Sequence, residues 1–233
     1  MSKLKIVIDL GHGGKDPGAV FNGLLEKNLA LSISRNIKET LTQNYDVLVR
    51  MTRDSDKFLS LEERAKIANN WGADYFLSVH LNAGGGTGFE TYIHPNAKTP
   101  TKSLQEAVHN EIISRLDCMD RGMKRGNFAV LRLTQMPAVL TENLFLDHTR
   151  DARQLKDPTV LKAIAQGHVN GLQRLLKLRP MKGGEPVKVM PQSIYRLLVN
   201  GKQIGAFGEK ENLLKQVTQH LGTANKIELE QLK

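Results

Sequence analysis

Short apolar runs rich in Ile and Val alternate along most of this chain with longer segments whose apolar positions recur every three or four residues. Residues 4–10 form the first run and read as a fully buried strand. Leu29, Ile33, Ile37 and Leu41 recur at spacing four and predict a helix from Glu26 to about Gln43. Tyr45–Arg50 reads as a second strand. Ser60–Trp71 reads as a helix, with Ser60 as its N-cap and Glu63 three residues on, a capping-box pattern. Asp74–His80 and Gly88–His94 read as strands and 102–116 as a helix. Ala129–Leu133 and Ala138–Glu142 are strand candidates, and 158–178 is the last long helix. Strands alternating with helices predict an α/β fold: a three-layer sandwich with a mostly parallel twisted sheet and helices on both faces.

The periodicity breaks at Arg179-Pro180-Met181-Lys182-Gly183-Gly184-Glu185-Pro186, which reads as a linker. Beyond it, Ile194–Val199 and Gln203–Phe207 flank Asn200-Gly201, a strong hairpin signal. A helix near 209–221 and a strand near 226–230 complete a small α+β (ββαβ) unit. The division expected is 1–178, a linker at 179–190, and 191–233. A unit of this size is short of core, so it is expected to pair, for example with its own copy.

Composition narrows the chemistry. A single cysteine, Cys118, excludes an intramolecular disulfide framework and multi-cysteine zinc sites, so any metal must be held by His and carboxylate. The net charge of +9 favours a polyanionic partner. The excess is spread along the chain without a basic stripe, and aromatics are 5%, which argues against nucleic acid. No apolar run approaches the roughly 18 residues of a membrane span. Asp9 interrupts the N-terminal apolar segment and no small-residue cleavage site follows, so no signal peptide is expected.

The first strand breaks into Gly11-His12-Gly13-Gly14. A phosphate loop would need a lysine followed by Ser or Thr after its last glycine; Lys15-Asp16-Pro17 fails that pattern. A metal reading fares better. His80 closes the run YFLSVH and Glu142 closes AVLTE, so three ionisable residues stand at the carboxyl ends of three apolar strands, the edge where open parallel sheets bind ligands. Glu26 opens the first helix near the same edge. Two imidazoles and one carboxylate make a catalytic zinc set with a position open for water, and a second carboxylate can shuttle the proton. Taken singly, each of these residues has an ordinary explanation as a loop residue or a helix cap; their shared edge is what sets them apart. His168 falls in register with Leu161, Ile164, Leu172 and Leu175 and is expected in the core. His94 and His109 are expected at the surface, His148 near a helix start, and Cys118 inert.

The stretches IDLGHGGKDPGA, GLLEKNLAL, NNWGADYFLSVHLNAGGGTGFETYI, NFAVLR and MPAVLTENLFL resemble the zinc-dependent N-acetylmuramoyl-L-alanine amidases of the bacterial and phage cell-wall lytic type. The resemblance implies Zn²⁺ as cofactor, His12, Glu26 and His80 as its ligands, and Glu142 as catalytic general base and acid. It implies hydrolysis of the amide joining the lactyl group of N-acetylmuramic acid to L-alanine of the peptidoglycan stem peptide. Glu90, in GFE, is read as support, and Asn82 and Asn143 as substrate-binding or ligand-supporting residues. YRLLVNGKQIGAF is similar to small modules of Bacillus-type lytic amidases that bind the wall, with peptidoglycan and anionic wall polymers as partners.

Without a signal peptide, the expected setting is synthesis in the bacterial cytoplasm and release onto the wall, by a phage or prophage endolysin in preference to a sporulating mother cell. Codons for Lys182-Gly183-Gly184-Glu185 can spell a ribosome-binding site, so an internal start near Val187 or Met190 would supply a free copy of the C-terminal unit for self-association. Rival readings are a zinc carboxypeptidase, a peptidoglycan deacetylase, and a non-catalytic wall-binding protein.

Overall fold

The computed structural model describes residues 3–181, 194–207 and 210–232. In chain order the first part contains β1 (Leu4–Leu10), β2 (Val20–Phe21), β3 (Leu24–Leu25), α1 (Glu26–Asn44), β4 (Val47–Met51), α2 (Leu61–Trp71), β5 (Tyr75–Asn82), β6 (Phe89–Ile93), α3 (Thr99–Ile113), β7 (Asp120–Arg125), α4 (Ala129–Leu133), β8 (Ala138–Phe145), α5 (Thr149–Leu155) and α6 (Pro158–Leu176). Six strands form one sheet in the order β4-β1-β5-β8-β6-β7. Neighbours pair in parallel except β6 with β8, which is antiparallel. The expected α/β sandwich with a mostly parallel sheet is therefore present.

Residue alternation along each strand decides which layer it feeds. Ile6, Ile8 and Leu10 of β1, with Val139 of β8 and Phe89 and Ile93 of β6, face α1, α3 and α6 and build the larger core. The helix positions Leu29, Ile33, Ile37 and Leu41 are all buried there, as their spacing predicts. Val7, Phe76, Ala138 and Leu140 face the other way and meet Ala68, Val130 and Leu131 from α2 and α4 in a smaller core. Helices α3 and α6 approach so closely that a Cβ on Gly171 would stand 2.6 Å from the Cα of Val108.

Several boundaries follow local chemistry. The Ser60 hydroxyl accepts from the Glu63 amide at 3.2 Å and the Glu63 carboxylate accepts from the Ser60 amide at 2.7 Å, completing the capping box that starts α2. Ala129–Leu133 is a helical turn and not a strand. A short apolar run does not distinguish the two states; here Val130 and Leu131 both turn into the smaller core, which a strand could not do. Asp120–Arg125 is an unexpected edge strand, its apolar signal erased by charges of the kind that blunt sheet edges. His109 is buried, 2% exposed, between the Thr91 hydroxyl and the Asp120 carboxylate, contrary to the surface position expected. Burial also pushes the Cys118 thiol up, consistent with an inert side chain.

The remaining elements are β9 (Ile194–Val199), β10 (Lys202–Phe207), α7 (Lys210–His220) and β11 (Ile227–Leu232), with sheet order β10-β9-β11. Asn200 and Gly201 both have positive φ, the geometry an Asn-Gly hairpin turn requires. Among the described residues, Leu197, Val199 and Leu213 are buried together in this unit. Most of the linker expected at 179–190, with Val187 and Met190, lies outside the described residues. Among the described residues no helix is long and apolar enough to cross a membrane.

A buried ion pair anchors the site-bearing edge. Asp9, fully buried on β1, accepts from Arg64 on α2 at 3.0 Å, from Ser78 at 2.8 Å and from Thr52 at 2.8 Å. Replacing Arg64 by Met leaves the Asp9 charge without its cation. Arg64→Met should destabilise the fold by about 3–5 kcal/mol, measured by urea unfolding; a midpoint equal to wild type would contradict the anchoring role.

Candidate metal centre and active site

Residues from three strand ends and one helix start meet at the carboxyl edge of β1, β5 and β8. His12 lies two residues beyond β1, Glu26 is the first residue of α1, and His80 and Glu142 are register partners on β5 and β8. One ligand-capable atom from each of His12, Glu26 and His80 falls within 4.8 Å of the other two.

The backbone that presents His12 is held by two buried arginines. Arg64 donates to the His12 carbonyl at 2.8 Å and also to that of Leu10; Arg53 donates to the Gly11 carbonyl at 2.8 Å and to the Lys27 carbonyl in α1 at 2.9 Å. His12 itself has φ 58°, a left-handed conformation that a non-glycine residue adopts at a cost, so these bonds also retain strain. Gly11 answers to close approach: a Cβ there would lie 2.5 Å from the His80 ring. Arg53 and Arg64 escaped the sequence reading; the available signal was a charged residue, Arg64, one position from Ala65 within the apolar stripe of α2.

Glu26 is the hub. One oxygen stands 2.9 Å from His80 Nδ1 and accepts from the Leu81 amide at 3.1 Å; the other stands 3.1 Å from His12 Nε2 and accepts from the Ala19 amide at 3.0 Å. Burial alone would raise its pKa, but the bonds from His12 and His80 outweigh burial and hold it well below the usual carboxylate range. The same bonds, against burial, raise His80 to about 9 and raise His12. The site thus strongly favours positive charge between these three groups. A divalent cation competes for the same nitrogen lone pairs, and two imidazoles with one carboxylate is a donor set suited to zinc. His12 presents Nε2 inward because its Nδ1 is 2.8 Å from Asp16, an orienting carboxylate of the type that accompanies metal-ligating histidines. Asp16 was not singled out in the sequence; its position four residues beyond His12 in the same glycine-rich loop was the only trace.

Glu142 faces a pocket of about 290 Å³ together with His12, Glu26, His80 and Asn82, against an apolar wall of Leu61, Phe128, Val130 and Leu140. Its Oε2 is buried without a hydrogen-bond partner among the described residues. Burial raises its pKa to about 7 while the His80 charge pulls the other way. Asn82 lines this pocket and donates to Glu90 at 2.8 Å. Asn143 is fully buried outside it, donating to the His80 carbonyl at 2.8 Å and the Thr141 hydroxyl at 2.9 Å, so it braces the strand that carries His80. His168 is fully buried in the core as expected, between Thr141 and the Ile164 carbonyl, and burial pushes it down to about 4. His148 caps α5 by accepting from the Asp151 amide.

Comparison with known proteins agrees with this architecture. The family model for N-acetylmuramoyl-L-alanine amidase, Amidase_3, matches residues 6–174. The chain is 46% identical over 210 residues to a sporulation-specific N-acetylmuramoyl-L-alanine amidase of Bacillus subtilis, covering 90% of this chain and 77% of that protein. It is also 46% identical over 194 residues to an endolysin of Bacillus phage SPP1, covering 81% and 71%. Among solved structures, an N-acetylmuramoyl-L-alanine amidase from Clostridium difficile 630 superposes with a TM-score of 0.73 at 34% identity, covering 75% of this chain and 97% of that one. The catalytic domain of CwlV from Bacillus (Paenibacillus) polymyxa gives 0.72 at 35% identity, covering 76% and 99%. With the family model matching residues 6–174, well over half of the chain, the chain belongs to the N-acetylmuramoyl-L-alanine amidase family.

Proposed function

We propose that this chain hydrolyses the amide between the lactyl group of N-acetylmuramic acid and L-alanine in peptidoglycan, with His12, Glu26 and His80 holding Zn²⁺ and Glu142 moving the proton. The observation that carries the reading is the convergence of the two imidazoles and the Glu26 carboxylate beside a Glu142 oxygen that has no partner among the described residues. Bound zinc supplies Lewis acidity, polarising a carbonyl and acidifying water at the site toward neutral pH. Glu142, with a pKa near 7, takes a proton from the attacking water as the new C–O bond forms. It returns that proton to the alanine nitrogen as the C–N bond breaks, so the products are a lactyl acid and a free α-amine. Glu26 stays ionised throughout, and Asp16 keeps His12 in the tautomer that offers Nε2 inward. The apolar wall of Leu61, Phe128 and Val130 excludes water from one side of the reacting group.

We read residues 1–178 as the catalytic part, 179–190 as a linker and 191–233 as a module that holds the enzyme on peptidoglycan and anionic wall polymers. The positive net charge supports that partner. Similarity to a phage endolysin supports a lysin that acts on the wall, and we retain the phage or prophage setting. We retain self-association of the C-terminal unit, including with a free copy started near Val187 or Met190, because a unit of this length is short of core.

Mass spectrometry of digested purified peptidoglycan should show new N-terminal alanine on intact glycan, abolished by a chelator and restored by Zn²⁺; glycan deacetylation or loss of a terminal amino acid would favour the rival enzymes. Glu142→Gln should keep one zinc per chain by atomic absorption yet lose about 10²–10⁴-fold in turnover; near-normal clearing of a wall suspension would remove Glu142 from this role. Asp16→Asn should weaken zinc affinity about 10–100-fold in a competition titration with a fluorescent chelator, while unchanged affinity would make Asp16 a loop residue only. Synonymous recoding of Gly183 and Gly184 should eliminate a co-purifying C-terminal fragment; absence of such a fragment from the native gene would dispose of the internal start.

A further inference from the structure

One step from Glu142 along the sheet lies a charge cluster that the proton-transfer chemistry does not use. Glu90 on β6 is the register partner of Glu142 on β8, so the two side chains share a sheet face. Glu90 is buried, and it accepts from Asn82 at 2.8 Å, the Tyr92 hydroxyl at 2.9 Å, Arg121 Nε at 2.7 Å and Lys124 Nζ. Two cations therefore serve one carboxylate, leaving the cluster with an excess of one positive charge. Both cations are about one-third exposed, at 30% and 36% of their side chains.

Arg121 is built to present its outer edge. Only its Nε is spent on Glu90 among the described residues, and its guanidinium lies over the Phe145 ring at 4.9 Å. Gly86 keeps that edge open, because a Cβ there would lie 3.2 Å from Arg121 Nη1 and 2.5 Å from Phe145. A guanidinium fixed by its Nε and by stacking, with its Nη edge unspent, is preorganised for a carboxylate. The cations sit on β7, two strands from β8, and reach back toward β6, which places them about 5–10 Å from the Glu142 strand. The amidase reading supplies a ligand at that range. The stem peptide continues from L-alanine to D-glutamate joined through its γ-carboxyl, so a free α-carboxylate follows the scissile carbonyl after about two residue rises, roughly 7 Å.

We propose that Arg121 and Lys124, organised by Glu90 and left accessible by Gly86, form a carboxylate subsite for the second residue of the stem peptide. The subsite rests on the amidase reading and makes the enzyme selective for stems whose D-glutamate α-carboxyl is free over stems in which it is amidated.

The test uses the zinc-loaded full chain and two synthetic substrates, N-acetylmuramoyl-L-Ala-D-isoGlu-L-Lys and its D-isoGln counterpart. Wild type should show a KM about tenfold lower for the acid. Arg121→Met and Lys124→Met should each raise the KM for the acid far more than for the amide, collapsing the ratio toward one, with partial recovery in Arg121→Lys. Lys124→Met leaves the Arg121–Glu90 contact intact and so separates selectivity from damage to the fold. Calorimetric binding of the free dipeptides L-Ala-D-isoGlu and L-Ala-D-isoGln reads the subsite without turnover. Cleavage of both substrates at equal KM, with equal dipeptide affinities, overturns the subsite and spares the amidase reading. Selective dipeptide binding without cleavage of either substrate overturns the amidase reading and spares the carboxylate site.

Discussion

The site depends on one buried carboxylate. Glu26 holds His12 on one oxygen and His80 on the other, and each oxygen is also pinned by a backbone amide. It thereby joins the loop after β1, the start of α1 and the end of β5. In a buried environment an ionised carboxylate is tolerable only when fully hydrogen-bonded and facing positive charge. Satisfying Glu26 therefore forces the two imidazoles to converge, and the convergence is what makes a cation site. The geometry of the site follows from the electrostatic requirement of a single side chain.

Holding that geometry costs backbone strain, and the structure offsets it from below. His12 adopts a left-handed conformation, and Gly11 has to accept the His80 ring against its Cα. Arg53 and Arg64 fasten the carbonyls of Leu10, Gly11 and His12, while Asp9 neutralises Arg64 from within β1. The loop is thus locked by charged groups reaching it from α2 and from the segment after β4, and not by its own packing. On the other face of the sheet, Asn143 fastens the His80 carbonyl and hands on to Thr141 and His168. The two strands carrying His80 and Glu142 are therefore braced from both layers.

The three carboxylates near the site end in different states because their partners differ. Glu26 meets imidazoles and stays ionised; Glu90 meets a guanidinium and an ammonium and stays ionised, its pKa lowered by Lys124 and Arg121 against burial. Glu142 meets burial and two other carboxylates, with one oxygen unpaired among the described residues, and is lifted to about 7. Environments that push neighbouring acids apart are how one fold assigns a fixed ligand and a mobile proton carrier. The register that sets His80 opposite Glu142, and Glu142 opposite Glu90, is what places those three residues in a row.

The amino-acid sequence alone determined the layered α/β architecture, the capping box of α2, the Asn-Gly hairpin, and the edge at which His12, His80 and Glu142 stand. These are local or periodic signals: the spacing of apolar residues, a cap three residues from its partner, a polar residue ending an apolar run. The sequence missed β7, because an edge strand facing solvent carries charges in place of an apolar pattern, and it took α4 for a strand, because five residues hold too little periodicity to separate the two. It could not identify Asp16, Arg53 or Arg64 as supports, nor place Asn143 behind the site and His109 in the interior. Those roles arise from contacts between residues far apart in the chain, and only the packing of the sheet against its helices decides which polar groups are buried together and must therefore satisfy one another.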